Sequence, residues 1–222
     1  MTRDYEVELE GGAKCTVSVS DEPWKGELNV TDWTAVTPSL LRRVAYRKCG
    51  LPAPVAETAR LFLRELSAAD RPRLQRLGLS ERERQFLGDD WTGLFEADFL
   101  AHYVRTQYTF FDCGLWAVFL RRKELREGEF LGLTGFSPAE PVELGFVLRQ
   151  EARGRGYAVE ASLAALRYAV TELGLAEAQI RVQAENLAGY RTAKTIKEQW
   201  DSAGGALQCR LFVKREGSVY KE

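Results

Sequence analysis

The chain has 222 residues, 45% hydrophobic and 28% charged, and its 31 basic and 32 acidic side chains leave a formal net charge of -1. That length suits one domain plus a small module rather than two full domains, and the apolar fraction excludes a disordered chain. The charge balance supplies no global field for nucleic acid or an anionic membrane, so any anion must be gripped locally.

Residues 1–20 alternate. Tyr5, Val7 and Leu9 sit between glutamates, and Cys15, Val17 and Val19 between polar residues. A two-residue turn at Gly11-Gly12 would set Leu9 against Lys14. A three-residue loop, Gly11-Gly12-Ala13, instead pairs Leu9 with Cys15, Val7 with Val17 and Glu10 with Lys14, and it keeps one face apolar. The second register is expected. A helix over Pro38–Lys48 turns Leu40, Leu41, Val44 and Ala45 toward a core, with its four basic residues elsewhere. The run Cys49-Gly-Leu-Pro-Ala-Pro54 reads as a linker. Residues 1–56 thus form a small hairpin-and-helix module, marginal by itself and expected to pack on 57–222.

From Arg60 a strand carrying Leu61 and Leu63 leads into Ser67-Ala-Ala-Asp70, which has the character of a helix start. Two or three helices follow to about Phe110. Three apolar strands come next, Leu115–Leu120, Phe130–Gly135 and Val142–Leu148, separated by polar turns at Arg121–Gly128 and Ser137–Pro141 and predicted to form an antiparallel meander. Residues 156–173 give the clearest helix, with Val159, Leu163, Leu166, Val170 and Leu173 at steps of four and three before Gly174. A strand (Ala178–Val182), a helix (about Leu187–Gln199) and an alternating strand (Leu207, Cys209, Leu211, Val213) complete the chain. The helix between strands 142–148 and 178–182 is a crossover, which implies locally parallel or splayed strands.

Four cysteines (Cys15, Cys49, Cys113, Cys209) lie far apart with no C-x-x-C pair, and His102 is the one histidine. A zinc site or disulfide framework is not expected, and scattered thiols fit a reducing cytoplasm. The polar start, Met1-Thr2-Arg3-Asp4, has no apolar signal region, and no run approaches the ~18 apolar residues of a spanning helix. A soluble cytoplasmic protein is expected.

The informative stretch is Glu143-Leu-Gly-Phe-Val-Leu148-Arg-Gln-Glu-Ala-Arg153-Gly-Arg-Gly156-Tyr-Ala158. A strand ends, a loop with two glycines follows, and a strong helix begins. A helix start leaves backbone N–H groups unpaired and carries partial positive charge, so it attracts anions. Gly154 and Gly156 allow close backbone approach, and Arg153 and Arg155 add local charge. The stretch reads as a pyrophosphate cradle. A bare glycine-rich turn competes with that reading. The third glycine of a dinucleotide fingerprint and the Gly-Lys-Ser/Thr of a P-loop are both missing.

Arg153-x-x-Gly156-x-Ala158 is the Q/R-x-x-G-x-G/A signature of the GNAT acetyltransferase superfamily, and the string around it resembles the branch of ribosomal-protein N-terminal acetyltransferases. Other pieces follow in order. Thr58-Ala-Arg-Leu-Phe-Leu-Arg64 is similar to that branch's opening strand, Leu66-Ser-Ala-Ala-Asp70 to the entry into its first helix, Glu129-Phe-Leu-Gly-Leu-Thr-Gly135 to its third strand, and Ala184-Glu-Asn186 to the asparagine after its fifth. The resemblance covers about 57–200. It implies an α/β GNAT fold: a mixed, mostly antiparallel sheet with splayed central strands and flanking helices. It implies acetyl transfer from acetyl-CoA to a primary amine, on a small molecule or a protein N-terminus, without a metal. Amides from Gly154 through Tyr157 to Ala158 would hold the CoA pyrophosphate. The Val147–Leu148 backbone would pair with the pantetheine, an N–H near Leu148 would polarise the thioester, and Asn186 would bond the pantetheine amides.

Glu143 is the candidate base, because several family members carry an acid at its place on strand four; a solvated or salt-bridged strand-end glutamate is the equal alternative. Tyr190 is the candidate acid for the leaving thiolate, although the commonest family tyrosine lies later on this helix, where Ala193 and Lys194 stand; a packing role is preferred. His102, in an aromatic helix, reads as a packed or surface residue. Trp91, Phe95, Tyr103, Gln107, Phe110 and Phe111 occupy the region that shapes the family's acceptor pocket, and core is the preferred reading for them. Three departures stand out. Gly189 replaces a serine usual in the branch, Lys197-Glu-Gln-Trp200 replaces the usual Gly-Phe, and one good strand plus a weak Ser218–Tyr220 stretch remain where the family has two strands. The sheet edge so left open would be covered by the N-terminal hairpin or by a second copy in a homodimer. A CoA-binding regulatory or interaction module without turnover is the second functional reading.

Overall fold

Alternation at the start of the chain does produce a hairpin. Strand β1 (Thr2–Glu8) pairs antiparallel with β2 (Lys14–Ser20) in the computed structural model, which describes residues 1–122 and 126–214, with backbone alone at 89 and 90. The register differs by two residues from the expected one: Val7 faces Cys15 and Tyr5 faces Val17. The turn is longer, a 3-10 turn over Glu10–Gly12 in which the Leu9 N–H donates to the Ala13 carbonyl at 2.7 Å and the glycines adopt φ of 82° and 81°. A slip of two leaves every side chain on its own face, so alternation is blind to it and turn chemistry decides. A short β3 (Leu28–Asn29) runs parallel to β2.

The Thr37 hydroxyl caps helix α1 (Pro38–Lys48) by accepting from the Leu40 N–H at 3.1 Å, with Pro38 in the first turn where its missing N–H costs nothing. Leu41, Ala45 and Tyr46 bury with Leu9, Cys15, Val17 and Val19. Arg43, expected on the polar side, is buried as well, and its guanidinium donates to the Ser39 hydroxyl at 3.0 Å. This hairpin-and-helix assembly, residues 1–54, is one compact unit; residues 55–222 are the other.

The sheet of the second unit starts earlier than expected, with β4 (Pro54–Glu57) at the end of the presumed linker, followed by β5 (Leu61–Glu65). Ser67 and Asp70 form a capping box that opens α2 (Arg71–Gln75), and the short α3 (Glu81–Arg84) and α4 (Asp89–Gly93) precede α5 (Ala97–Phe111). Strands β6 (Leu115–Leu120), β7 (Phe130–Ser137) and β8 (Glu143–Leu148) form the expected antiparallel meander. Helix α6 (Tyr157–Thr171), β9 (Glu177–Gln183), α7 (Leu187–Ser202) and β10 (Gln208–Lys214) follow. The seven strands lie in the order β10-β9-β8-β7-β6-β5-β4, a mixed, mostly antiparallel sheet with flanking helices.

Apolar runs on β5, β6 and β7 are buried on both faces, which is why they do not alternate. Two tyrosines fasten α5 to this core. The Tyr103 hydroxyl accepts from the Leu115 N–H at 2.7 Å, while the Tyr108 hydroxyl donates to the Leu115 carbonyl at 2.5 Å and accepts from the Leu66 N–H at 2.9 Å. Beneath β5, Arg64 and Asp70 are almost fully buried and paired at 2.7 Å, with Glu127 on the same guanidinium. Burial alone would raise the Asp70 pKa, but its bonds to Arg64, Ser67 and Arg73 together outweigh that and hold the carboxyl below its ordinary value.

Both crossovers give parallel neighbours. β10 pairs with β9 along its whole length and stands last in the sheet, with no strand on its far side among the described residues. The Ser218–Tyr220 stretch lies outside the described residues. β8 and β9 behave differently: Glu143 opposite Gln179 is their one register pair, secured by the Gln179 N–H on the Val142 carbonyl at 2.9 Å, and beyond it they part.

Candidate active site

The parting of β8 and β9 opens a cavity of about 1010 Å³, walled by β8, the loop into α6, β9, the start of α7 and residues of the 79–91 segment. Its main-chain chemistry follows from strand parity. The Arg149 N–H bonds to the Leu131 carbonyl at 2.9 Å, and the Gly145 carbonyl accepts from the Thr134 hydroxyl at 3.1 Å, so odd-numbered residues turn their main-chain groups toward β7. Leu144, Phe146 and Leu148 therefore turn theirs toward the gap. The Leu148 carbonyl takes the Arg153 Nε at 2.8 Å. The Phe146 N–H and carbonyl and the Leu148 N–H remain as the strand-like edge offered to a ligand. Phe146 is absent from the residues marked by motif, although the parity of the meander is the signal that could have found it; Val147 also lines the cleft, while its main chain serves β7.

At the far end of β8 the loop into α6 carries two glycines in left-handed conformation. Gly154 and Gly156 adopt φ of 73° and 76°, and no side chain caps α6. A Cβ at Gly154 would meet nothing, so the left-handed backbone rather than crowding calls for glycine there. Arg153, Gly154, Gly156, Tyr157 and Ala158 line the cleft, whereas Arg155 is not among its lining residues. The loop is held from below. Arg60 donates Nη1 to the Arg155 carbonyl at 3.0 Å and Nε to Glu160 at 2.6 Å, and its guanidinium lies 4.7 Å from the Tyr157 ring centre. Thr58 donates to the same carboxylate at 2.5 Å. Burial pushes the Glu160 pKa up, and the Thr58 and Arg60 bonds more than reverse it. Arg153 pairs with Glu83 of α3, and Glu83 too ends below its ordinary value because bonds from Ser80 and Arg153 outweigh its burial.

At the closed vertex, Glu143 stands with the Arg181 guanidinium 3.4 Å from Oε2. Both residues line the cleft, as does Asn186. Asn186 also caps α7, its Oδ1 accepting from the Gly189 N–H at 2.9 Å, and it packs so closely that a Cβ at Gly189 would lie 2.5 Å from Nδ2. A side chain at 189 would have to shift the Asn186 amide. Tyr190 packs against the core and is not a lining residue; the neighbouring Arg191 and Thr192 are. Of the aromatic set, Trp91 alone reaches the cleft, where its indole covers Gly145. Tyr103, Gln107 and the half-buried Phe95 belong to the core region, and Phe110, Phe111 and His102 are exposed.

An uncapped helix start between left-handed glycines, beside a strand edge turned into a gap, fits a diphosphate followed by an amide-bearing arm. Among the described residues there is no group of three or more His, Cys, Asp or Glu that could hold a metal, and no helix is long and apolar enough to cross a membrane. A mixed sheet whose two central strands part at such a helix start is the architecture of a GNAT-type acetyltransferase. The family model described as acetyltransferase (GNAT) domain matches residues 60–197, and the chain belongs to that family, whose members use acetyl-CoA. Solved structures agree on the fold. An acetyltransferase from Agrobacterium tumefaciens is 27% identical over 65% of this chain and 82% of its own, with a TM-score of 0.53. A GNAT-family acetyltransferase from Bacillus anthracis is 21% identical over 65% and 82%, with a TM-score of 0.51. The ribosomal L7/L12 α-N-protein acetyltransferase RimL, in a complex with coenzyme A, is 15% identical over 65% and 82%, with a TM-score of 0.53.

Proposed function

We propose that this acetyltransferase moves the acetyl group of acetyl-CoA onto a primary amine by direct attack on the thioester. The observation that carries this is the pairing of an uncapped α6 start with the gap-facing edge of β8, one cleft suited to both a diphosphate and a pantetheine arm. Acetyl-CoA supplies an activated acyl carbon. Amides of Gly154 to Ala158 hold the diphosphate, Phe146 and Leu148 offer main-chain bonds to the pantetheine, and Asn186, already fixed as a cap, offers its Nδ2 to the same arm. An N–H of β8 facing the gap stabilises charge as it develops on the carbonyl oxygen. An alkylammonium must lose a proton before it can attack, and Glu143 at the vertex takes it directly or through water. Arg181 orients that carboxylate. The acceptor is an amine on a small molecule or a protein N-terminus; the RimL neighbour, which acts on a protein α-amine, makes peptides with free N-termini the first class to try.

The test pairs binding with turnover. Acetyl-CoA at 100 times its dissociation constant should stabilise the protein by ~2.7 kcal/mol, and an amine screen followed by thiol release should find an acceptor. Glu143→Gln should lower kcat by roughly 10²-fold or more while preserving the melting shift. An unchanged kcat removes Glu143 from the chemistry. The second reading, a CoA-binding module without turnover, is favoured by the placement of Tyr190 against the core rather than in the cleft; a melting shift with no thiol release on any amine would establish it.

A further inference from the structure

The acetyl-CoA contacts described above leave one wall of the cleft unused. Leu79, Glu83, Phe86, Leu87 and Trp91 line the cavity, yet they come from the helical connection between β5 and β6. This segment is pinned to both parted strands. On one side Glu83 pairs with Arg153, which in turn holds the Leu148 carbonyl at the end of β8. On the other, the Gln183 amide at the end of β9 donates to the Gln85 carbonyl at 3.3 Å. The two carboxylate oxygens of Glu83 have separate partners: Oε2 accepts the Ser80 N–H and hydroxyl at 2.8 and 2.7 Å, leaving Oε1 for the Arg153 guanidinium. Farther along, the Trp91 indole lies on Gly145, two residues from Glu143. One continuous piece of chain thus crosses the open end of the cleft and runs on to its vertex.

We propose that Glu83 is a positioning residue which, acting through Arg153, ties the diphosphate loop to the 79–91 wall, so that binding of acetyl-CoA sets the wall against which the acceptor amine rests. The proposal rests on the acetyl-CoA reading of the cleft. β8 and β9 share a single register pair at their closed end, so the strap fixes their spacing at the open end, through one ion pair and one amide bond. An anion arriving at the α6 start draws on Arg153, and Arg153 carries Glu83 and the strap with it.

Hydrogen exchange of the full chain separates the two readings. Wild type with saturating acetyl-CoA should gain protection over 149–159 and over 79–91. Glu83→Gln should keep the first and lose about fivefold of the second, the ceiling for a partly exposed ion pair. With an acceptor in hand, the same variant should raise the acceptor KM by a similar factor and leave kcat little changed. In an Arg153→Gln background, Glu83→Gln should have no further effect on 79–91. Full protection of 79–91 in Glu83→Gln, or an equal loss in both backgrounds, overturns the strap. Protection at 149–159 alone in wild type overturns it too and leaves the acetyl-CoA reading standing. No protection at 149–159 sinks the acetyl-CoA reading, and the strap with it.

Discussion

Gly145 is where β8 makes room for the indole of Trp91, and a single methyl group there should be felt by both fold and cleft. A Cβ on Gly145 would lie 2.3 Å from the Trp91 Cζ2, 3.1 Å from Cε2 and 3.2 Å from Cη2. Trp91 is 8% exposed, so its ring has little space to withdraw into. Overpacking of this kind costs about 1–3 kcal/mol, and alanine recovers about 0.5–1 kcal/mol over glycine within a strand. The net loss for Gly145→Ala is then on the order of 1–2 kcal/mol, or a fall in Tm of roughly 2–8 °C for a protein of this size. Thermal melts of Gly145→Ala, Trp91→Leu and the double variant provide the assay. With the indole gone the methyl has space, so Gly145→Ala should be neutral or stabilising in the Trp91→Leu background. Equal Tm losses in the two backgrounds would refute the close contact and, with it, the assignment of Trp91 to the cleft floor.

Other consequences can be checked as directly. Asp70 has a lowered pKa, so its contribution is complete above its ordinary value of 3.8 and is lost as pH falls through the lower folded value; acid titration of stability should steepen below about pH 4, and Asp70→Asn should flatten that limb while costing about 3 kcal/mol at neutral pH, the low end for a broken buried pair, because Arg64 keeps the partly exposed Glu127. Arg60→Ala removes the bonds to Glu160 and the Arg155 carbonyl, and calorimetry should show acetyl-CoA binding weakened by up to about tenfold with Tm down by only a few degrees. Gly156→Ala forces a left-handed non-glycine residue at about 1–2 kcal/mol and should cost acetyl-CoA affinity more than it costs kcat; equal affinity would show that the loop does not need that backbone.

The elements that local rules govern were legible. α1 has the predicted ends because Thr37 and Pro38 start it and the left-handed Gly50 follows it, and β6 has the predicted ends because its apolar run stops at Arg121. The glycine turn into α6 was legible for the same reason: two glycines and a helix start are neighbours in sequence. What escaped depended on distant partners or on parity. The hairpin slip of two residues changes no face, so no pattern of apolar residues could reveal it. Phe146 needed the pairing of β7 with β8 before its main chain could be aimed. The role of α3 hangs on Arg153, seventy residues away, and Glu83 carries no local mark of it beyond the Ser80 capping box. Nothing local to Gly189 signals that the Asn186 amide folds over it.

The single rung between Glu143 and Gln179 has a thermodynamic corollary. Past that rung, β8 holds half of a ladder whose complement no described residue supplies. On the proposed reading, a guest with amide groups along an extended arm would complete the sheet and do part of the work of folding, whereas a bare adenosine diphosphate would engage the helix start and leave the ladder open. Heat resistance should therefore track the length of the arm rather than the charge of the head, and the acetyl group at its tip should add little to it.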